Sequence, residues 1–463
     1  MPPLLGPQEQ LGLDIALRAN LLDRADLGYR KDNAETEFRL EKARRFLHDP
    51  LAMPLHADAV ARELRGADSL ARLAAFLARE REIPFSPPSR SPGIAGEPAA
   101  YLVAACERAS ALLAKAFASV PVNDRLRASA LYAAQELHQP ADVLKKIGAD
   151  QLGFDAAHLA MLAPHRKMDY AALAEAVQIL CAAIDEALPA LKAQPPVLMA
   201  RDTPLGKVIV GTPGNDVYRD EALLIIDPGG DDLYLNTAGG ADGLAGRPIS
   251  IVIDLAGNDR YEGRSFCQGC GFWGVGILVD CGGNDTYAAQ NCAQGAGLFG
   301  CGLLADLGGR DRYEADTMAQ GAAAFGLAAL WDRAGDDGYR AAQFAQAVAG
   351  VGGCGLLLEG EGGDTYFVGG KYGDAERYSA HFLSLGQGFA IGDRPFAAGG
   401  VAILCDLSGN DNYYADIYGQ GVSYWYSLGL LLDLAGNDTY RIYHYGQGAG
   451  IHLSAALLAD WSG

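Results

Sequence analysis

Two rhythms of apolar residues divide the chain near residue 200. Before it they recur at helical intervals: between Ser69 and Arg81, Leu70, Leu73, Phe76 and Leu77 fall on one stripe, with Asp68 ahead as the expected N-cap. Ala- and Leu-rich runs predict further helices over Gln8–Arg24, Tyr101–Phe117, Asn123 to about His138, and Tyr170–Leu191, the last stopped by Pro195-Pro196. Five prolines between Ile83 and Pro98 predict a loop. The expectation is an all-α domain over 1–198, of about seven helices. Beyond it the apolar runs shorten to three residues, as in Ile251-Val252-Ile253, Ile277-Leu278-Val279 and Leu430-Leu431-Leu432. Each leads into an acidic residue and a Gly-rich turn, the pattern of short strands.

Those strands repeat. A Gly-x-Asp-x-Tyr motif places Asp259, Asp285, Asp311 and Asp337 at intervals of 26 residues; Asp364, Asp411 and Asp438 follow at 27, 47 and 27, and looser copies centre on Asp216 and Asp232. A tyrosine stands two residues after each motif Asp, from Tyr218 to Tyr440, and a glutamine nine residues after it at Gln268, Gln294, Gln320, Gln346, Gln420 and Gln447, with Gln387 displaced in the long unit. A unit this short has no room for a βαβ crossover, so the fold class is α+β: an all-α domain, then a parallel β-solenoid over 199–463 with rungs of about 26 residues. Rungs stack at about 4.8 Å, which turns like positions into ladders. Strand alternation points the glutamines inward, as a mutually hydrogen-bonded ladder, together with Phe266, Cys292, Met318 and Phe344 two residues earlier; Ser265, Asn291, Thr317 and Gln343 then face outward. The helical domain is expected to cover an open end of the stack.

Composition sharpens this division. Of 59 glycines, 51 lie in residues 201–463, and so does −18 of the net charge of −20. There is no Gly-x-y period for collagen, no run of about 18 apolar residues for a membrane span, and no basic cluster for a nucleic-acid partner. The nine cysteines are odd in number, and Cys267-Gln268-Gly269-Cys270 is a single C-x-x-C without a second pair, so small core thiols are expected. With no visible signal peptide the expectation is cytoplasmic, or exported if a leader was removed.

The charge collects in two acidic columns five residues apart across each turn. One runs Asp254, Asp280, Asp306, Asp332, Glu359, Asp406, Asp433 and Asp460; the other is the motif Asp itself. Stacked like charges repel by roughly 1 kcal/mol per pair even in a water-like dielectric. Either turn amides or cations must offset that. The turn Gly282-Gly283-Asn284-Asp285-Thr286-Tyr287 resembles the Gly- and Asp-rich nonapeptide of RTX-type calcium-binding repeats, with a period of 26 here rather than about 9. The resemblance implies Ca²⁺ ligation at Asp259, Asp285, Asp311, Asp364, Asp411 and Asp438.

Candidate chemistry gathers where the repeat is broken, in an insertion near 367–405, and in the last two rungs. His381 and His444 are the acid–base candidates, with Asp374, Glu376 or Asp416 as partners. Lys371, Tyr372, Arg377, Tyr378, Arg394, Tyr424, Trp425 and Tyr443 are the candidate ligand-binding residues, mixing charge with aromatic faces as a carbohydrate site requires. A column of Trp273, Phe299, Phe325, Val351, Trp425 and His452 is either core or an outward stripe. The expected function is a non-catalytic binding or scaffold protein for a carbohydrate polymer or a protein; the alternative is a polysaccharide lyase or hydrolase. Asp460-Trp461-Ser462-Gly463 stops inside a repeat motif, so that rung is expected to be covered by another chain, to pack in a dimer, or to belong to a longer parent sequence.

Overall fold

The computed structural model describes residues 6–24, 37–84, 96–136, 145, 150–194 and 198–463; His138 and the proline-rich stretch 85–95 lie outside them. The helical rhythm resolves into eight α-helices among the described residues: α1 (Pro7–Ala19), α2 (Glu41–His48), α3 (Met53–Arg65), α4 (Leu70–Glu80), α5 (Pro98–Phe117), α6 (Val122–Glu136), α7 (Phe154–Leu162) and α8 (Tyr170–Ala193). The longest pair, α5 and α8, pack on faces of buried alanine, among them Ala105, Ala109, Ala176 and Ala187. Ser69 rather than Asp68 caps α4, accepting from the Arg72 N–H at 3.4 Å, while Asp68 pairs with the Arg72 guanidinium at 3.2 Å.

From Met199 onward the chain coils into a parallel β-solenoid of about nine turns. Met199–Thr203 pairs antiparallel with Gly206–Val210, and the later strands of that eleven-stranded sheet are parallel. A regular rung carries four short strands, for example Val275–Asp280, Thr286–Ala288, Asn291–Ala293 and Gly297–Leu298. Register is set residue by residue: Leu278 faces Leu304, Asp280 faces Asp306 and Tyr287 faces Tyr313. Glycine is required where rungs nearly touch. A Cβ on Gly283 would lie 1.6 Å from the Gly257 carbonyl oxygen.

The interior is narrow. The motif tyrosines stack from Tyr218 to Tyr440 with ring centroids 4.5 to 5.0 Å apart. They pack against one residue per long strand: Val252, Leu278, Leu304, Leu330, Leu357, Leu404 and Leu431. The alternate positions, such as Ile251, Ile253, Ile277, Val279 and Leu303, face the other way and join the helical residues in one continuous core. The long sheet is thus apolar on both faces, as parallel sheets are when helices cover them.

This overturns the expected end cap. The helices lie along the flank: α4 meets the strands Leu327–Asp332 and Cys354–Glu359, and α3 meets Leu428–Asp433 and Ala455–Asp460. The aromatic column points outward from the coil yet is buried beneath them. Trp273, Phe299 and Phe325 stack at 4.4 and 4.5 Å, Phe117 meets the Trp273 ring at 5.6 Å, and Trp273 Nε1 donates to Ser129 Oγ at 2.8 Å.

Strand alternation also fails at the glutamine corner. Gln294 and Cys292 both have φ near +50°, so the chain turns twice within three residues and the parity derived from a straight strand is lost. Asn291, Thr317 and Gln343 are consequently buried rather than outward, and Met318 meets Tyr132 Oη of α6 through its sulfur. The glutamine amides do not form one mutual ladder. Gln294 Nε2 donates to the carbonyls of Tyr287 and Glu314, both at 3.0 Å, and the other corners repeat the pattern. Only the displaced Gln387 also donates to its predecessor, Gln346 Oε1, at 3.1 Å.

Candidate functional site

Two acids per rung end up inside the turn edge of the coil. The acid closing a regular long strand, as at Asp254, Asp280, Asp306, Asp332 and Asp406, accepts from two donors. Asp280 Oδ1 takes the Gly282 N–H at 3.0 Å, an Asx-type turn, and Asp280 Oδ2 takes the Tyr261 hydroxyl at 2.7 Å. The pair recurs from Tyr234–Asp254 to Tyr413–Asp433. Each motif Asp accepts differently, from the backbone N–H of the motif Asp one rung earlier: Asp285 Oδ1 from Asp259 at 2.5 Å, Asp311 Oδ1 from Asp285 at 2.6 Å, and Asp438 Oδ1 from Asp411 at 2.8 Å. Turn amides therefore satisfy half of each motif carboxylate.

The other half is left over. Oδ2 of Asp232, Asp259, Asp285, Asp311, Asp337, Asp364, Asp411 and Asp438 is buried and has no hydrogen-bond partner. Asp259, Asp285 and Asp364 are at most 1% exposed. The motif Asp residues also fall in triads, for example Asp259–Asp280–Asp285 or Asp285–Asp306–Asp311, in which one carboxylate oxygen from each residue lies within 4.8 Å of the other two. Successive triads share a motif Asp, so they form one continuous file. Burial, with neighbouring carboxylates adding to it, pushes Asp285 up to about 10; burial foremost lifts Asp259 to about 8 and Asp311 to about 7. Ionising these groups needs a compensating positive charge. All-oxygen donors of this kind suit a hard divalent cation.

A second constellation lies on the outer surface. The insertion folds back on itself through a bridge between Gly373 and Phe382, and Lys371 ties it to the coil by an ion pair with Asp316 at 2.5 Å. This brings His381 Nδ1 to 2.7 Å from Asp416 Oδ1, while Asp416 Oδ2 accepts the Phe382 N–H at 2.6 Å. Tyr443 stacks on the His381 ring at 3.5 Å. His381, Asp416 and Tyr443 line a groove of about 490 Å³ together with Phe367, Tyr414 and Arg441.

No family model, curated protein or solved structure matches the chain.

The remaining candidates separate into groups. Tyr378 meets the rings of Tyr443 and His444 beside the groove, and Tyr372 Oη bonds Asp316 at 3.0 Å. Asp374 is buried and caps the Glu376 and Arg377 amides; its link to His381 is through backbone, the Asp374 N–H donating to the His381 carbonyl at 2.9 Å. Glu376 and Arg377 pair with one another at the surface, 3.5 Å apart. Arg394, Tyr424 and Trp425 form a separate group: the Arg394 guanidinium lies 5.2 Å over the Trp425 ring and 3.4 Å from Tyr424 Oη. The nine cysteines are free, and burial pushes the Cys267 thiol up to about 12, which makes it a poor nucleophile or metal ligand. Sequence reasoning missed the bond from each tyrosine to the acid of the following rung. Its signal was the constant spacing of 19 or 20 residues between Tyr261 and Asp280 or Tyr413 and Asp433.

Proposed function

We propose that this chain is a non-catalytic scaffold: a rigid rod whose buried acid file is neutralised by bound Ca²⁺ and whose outer face engages a carbohydrate polymer. The observation that carries the reading is the buried, unpartnered carboxylate oxygen repeated at the motif Asp rung after rung. One orphaned charge would be a local defect. Eight in register form a built site, whose three carboxylates per triad leave water or main-chain oxygens to complete the six to eight ligands calcium takes. The expected outcome is a melting temperature that falls in EDTA and is restored by added calcium; an unchanged melting temperature with no calcium uptake by titration calorimetry would sink the cation reading. The His381–Asp416 pair favours a second reading, a polysaccharide lyase or hydrolase using His381 as base. Incubation with polysaccharide panels and assay for new reducing ends or unsaturated products separates the two. Strand addition by a second copy at the sheet edge Ala455–Asp460 would make the rod an oligomer.

A further inference from the structure

The outer face of the nine-stranded sheet carries chemistry that the scaffold does not use. Register places Arg340, Phe367, Tyr414 and Arg441 in one column on successive strands. The Phe367 and Tyr414 rings stack at 5.1 Å. The Arg340 guanidinium lies 4.6 Å over Phe367, and that of Arg441 lies 5.4 Å over Tyr414. Two cations thus close a two-ring stack from both ends, three strand steps or roughly 14 Å apart.

Neither guanidinium makes an ion pair among the described residues. The nearest acid in the column, Glu314, is taken by Arg312 at 2.6 Å. A guanidinium held over a ring by its charge, with no ion pair, keeps N–H donors free, and those can match a carboxylate bidentately. Tyr414 is 38% exposed, so the ring platform is reachable from solvent. The insertion walls one side of this platform and closes the 490 Å³ groove over Phe367, Tyr414 and Arg441. The groove's one lining carboxylate, Asp416, is engaged by His381 and the Phe382 amide.

We propose that this groove binds a carboxylated carbohydrate, a uronate-containing chain, with a sugar ring on the Phe367–Tyr414 platform and its carboxylates at Arg441 and Arg340. The proposal rests on the polymer-binding reading above and names its ligand class. Aromatic faces serve any sugar; the two unpaired guanidiniums are what select an acidic one against a neutral one.

The test is titration calorimetry of the full chain with an oligogalacturonate and with a neutral cello-oligosaccharide of equal length, at one fixed calcium concentration. The oligogalacturonate should bind at least about tenfold more tightly. Arg441→Gln should weaken it roughly tenfold and leave the neutral sugar unchanged, Tyr414→Ala should weaken both, and Arg312→Gln, on the same sheet outside the groove, should alter neither. Equal affinity for the two sugars, or an unaffected Arg441→Gln variant of unchanged melting temperature, would overturn the acidic assignment while the polymer reading stands. Absence of binding by either sugar would remove both. A single-stranded oligonucleotide binding as tightly as the oligogalacturonate would replace the sugar with a different polyanion and also overturn the proposal.

Discussion

Glu80 of the helical region and the acids of the solenoid are buried in opposite ways. In the helices Glu80 is 4% exposed and meets Lys42 Nζ at 2.7 Å and His56 Nε2 at 3.2 Å; those partners outweigh its burial and hold it down at about 2. In the solenoid Asp285 is as deeply buried, but its neighbours are Asp259, Asp280, Asp306 and Asp311, and it is held up near 10. Glu80 has its countercharge within the helices. The acid file must draw protons or cations from solution, which makes the rod the half of the molecule whose stability answers to its surroundings.

The largest effect should come from breaking a ladder. Tyr287 is fully buried, stacked between Tyr261 and Tyr313, and donates to Asp306 at 2.7 Å. Tyr287→Ala opens a cavity and leaves Asp306 Oδ2 without its hydroxyl donor, a cost of about 3–5 kcal/mol. Leu77→Ala in the helical half of the shared core should cost about 2–4 kcal/mol. Because helices and coil share one core, both variants should unfold in a single transition seen identically by far-ultraviolet circular dichroism and tryptophan fluorescence. Two separated transitions would show that the halves are independent.

The pH dependence sharpens the contrast because its sign reverses. Glu80 is depressed from 4.5 to about 2, so its contribution, on the order of 3 kcal/mol, is present above pH 4.5 and lost as pH falls toward 2. The file is raised, so in EDTA its contribution is full below about pH 3.8 and is lost progressively as pH climbs to about 7 to 8, where Asp311 and Asp259 finish ionising. Calcium should flatten the second limb and leave the first unchanged. Denaturant midpoints across pH 3 to 9 check both, and a second limb indifferent to calcium would count against cation loading.

How much of this was legible depends on what kind of regularity each residue obeyed. The Asp, Tyr and Gln columns are translational: a fixed interval becomes a fixed contact, so the coil and both acidic columns could be read from spacing alone. The glutamine corner could not be. Its parity was inferred from a straight strand; Gly295 marks the corner, but the positive φ of the non-glycine residues Cys292 and Gln294 just before it breaks that assumption. The flank packing was hidden for another reason. Ile251 and Ile253 look like ordinary strand residues, and only their contact with the helices shows that the sheet is apolar on both faces. His381 and Asp416 are 35 residues apart across the insertion, and the fold of that insertion, not a periodicity, brings them together.

Gln294→Ala tests the corner itself at a smaller scale. The side chain donates to two carbonyls, Tyr287 and Glu314, and these bonds offset a left-handed backbone that a non-glycine residue adopts at a cost. Removing them should cost about 2 kcal/mol, while Gln294→Gly, which relieves the strain, should cost less. If the glycine variant is the worse of the two, the left-handed backbone here is not a strain that glycine relieves. Equilibrium urea unfolding resolves the order.

The smallest effect should be the most local one. Ser69 caps α4 by accepting the Arg72 N–H, but the Leu70 and Ala71 amides are taken by Asp185 of α8, at 3.0 and 2.8 Å. Two of the first-turn donors therefore keep their acceptor when the serine is lost, and Ser69→Ala should cost about 0.5–1 kcal/mol, the low end for an N-cap. Asp185→Ala removes both of the other bonds and should cost more than twice as much. A helix end can thus lose one acceptor and lean on a neighbour from another helix. A solenoid ladder has no such substitute, because the neighbour of every Tyr and Asp is another copy of the same residue with the same need.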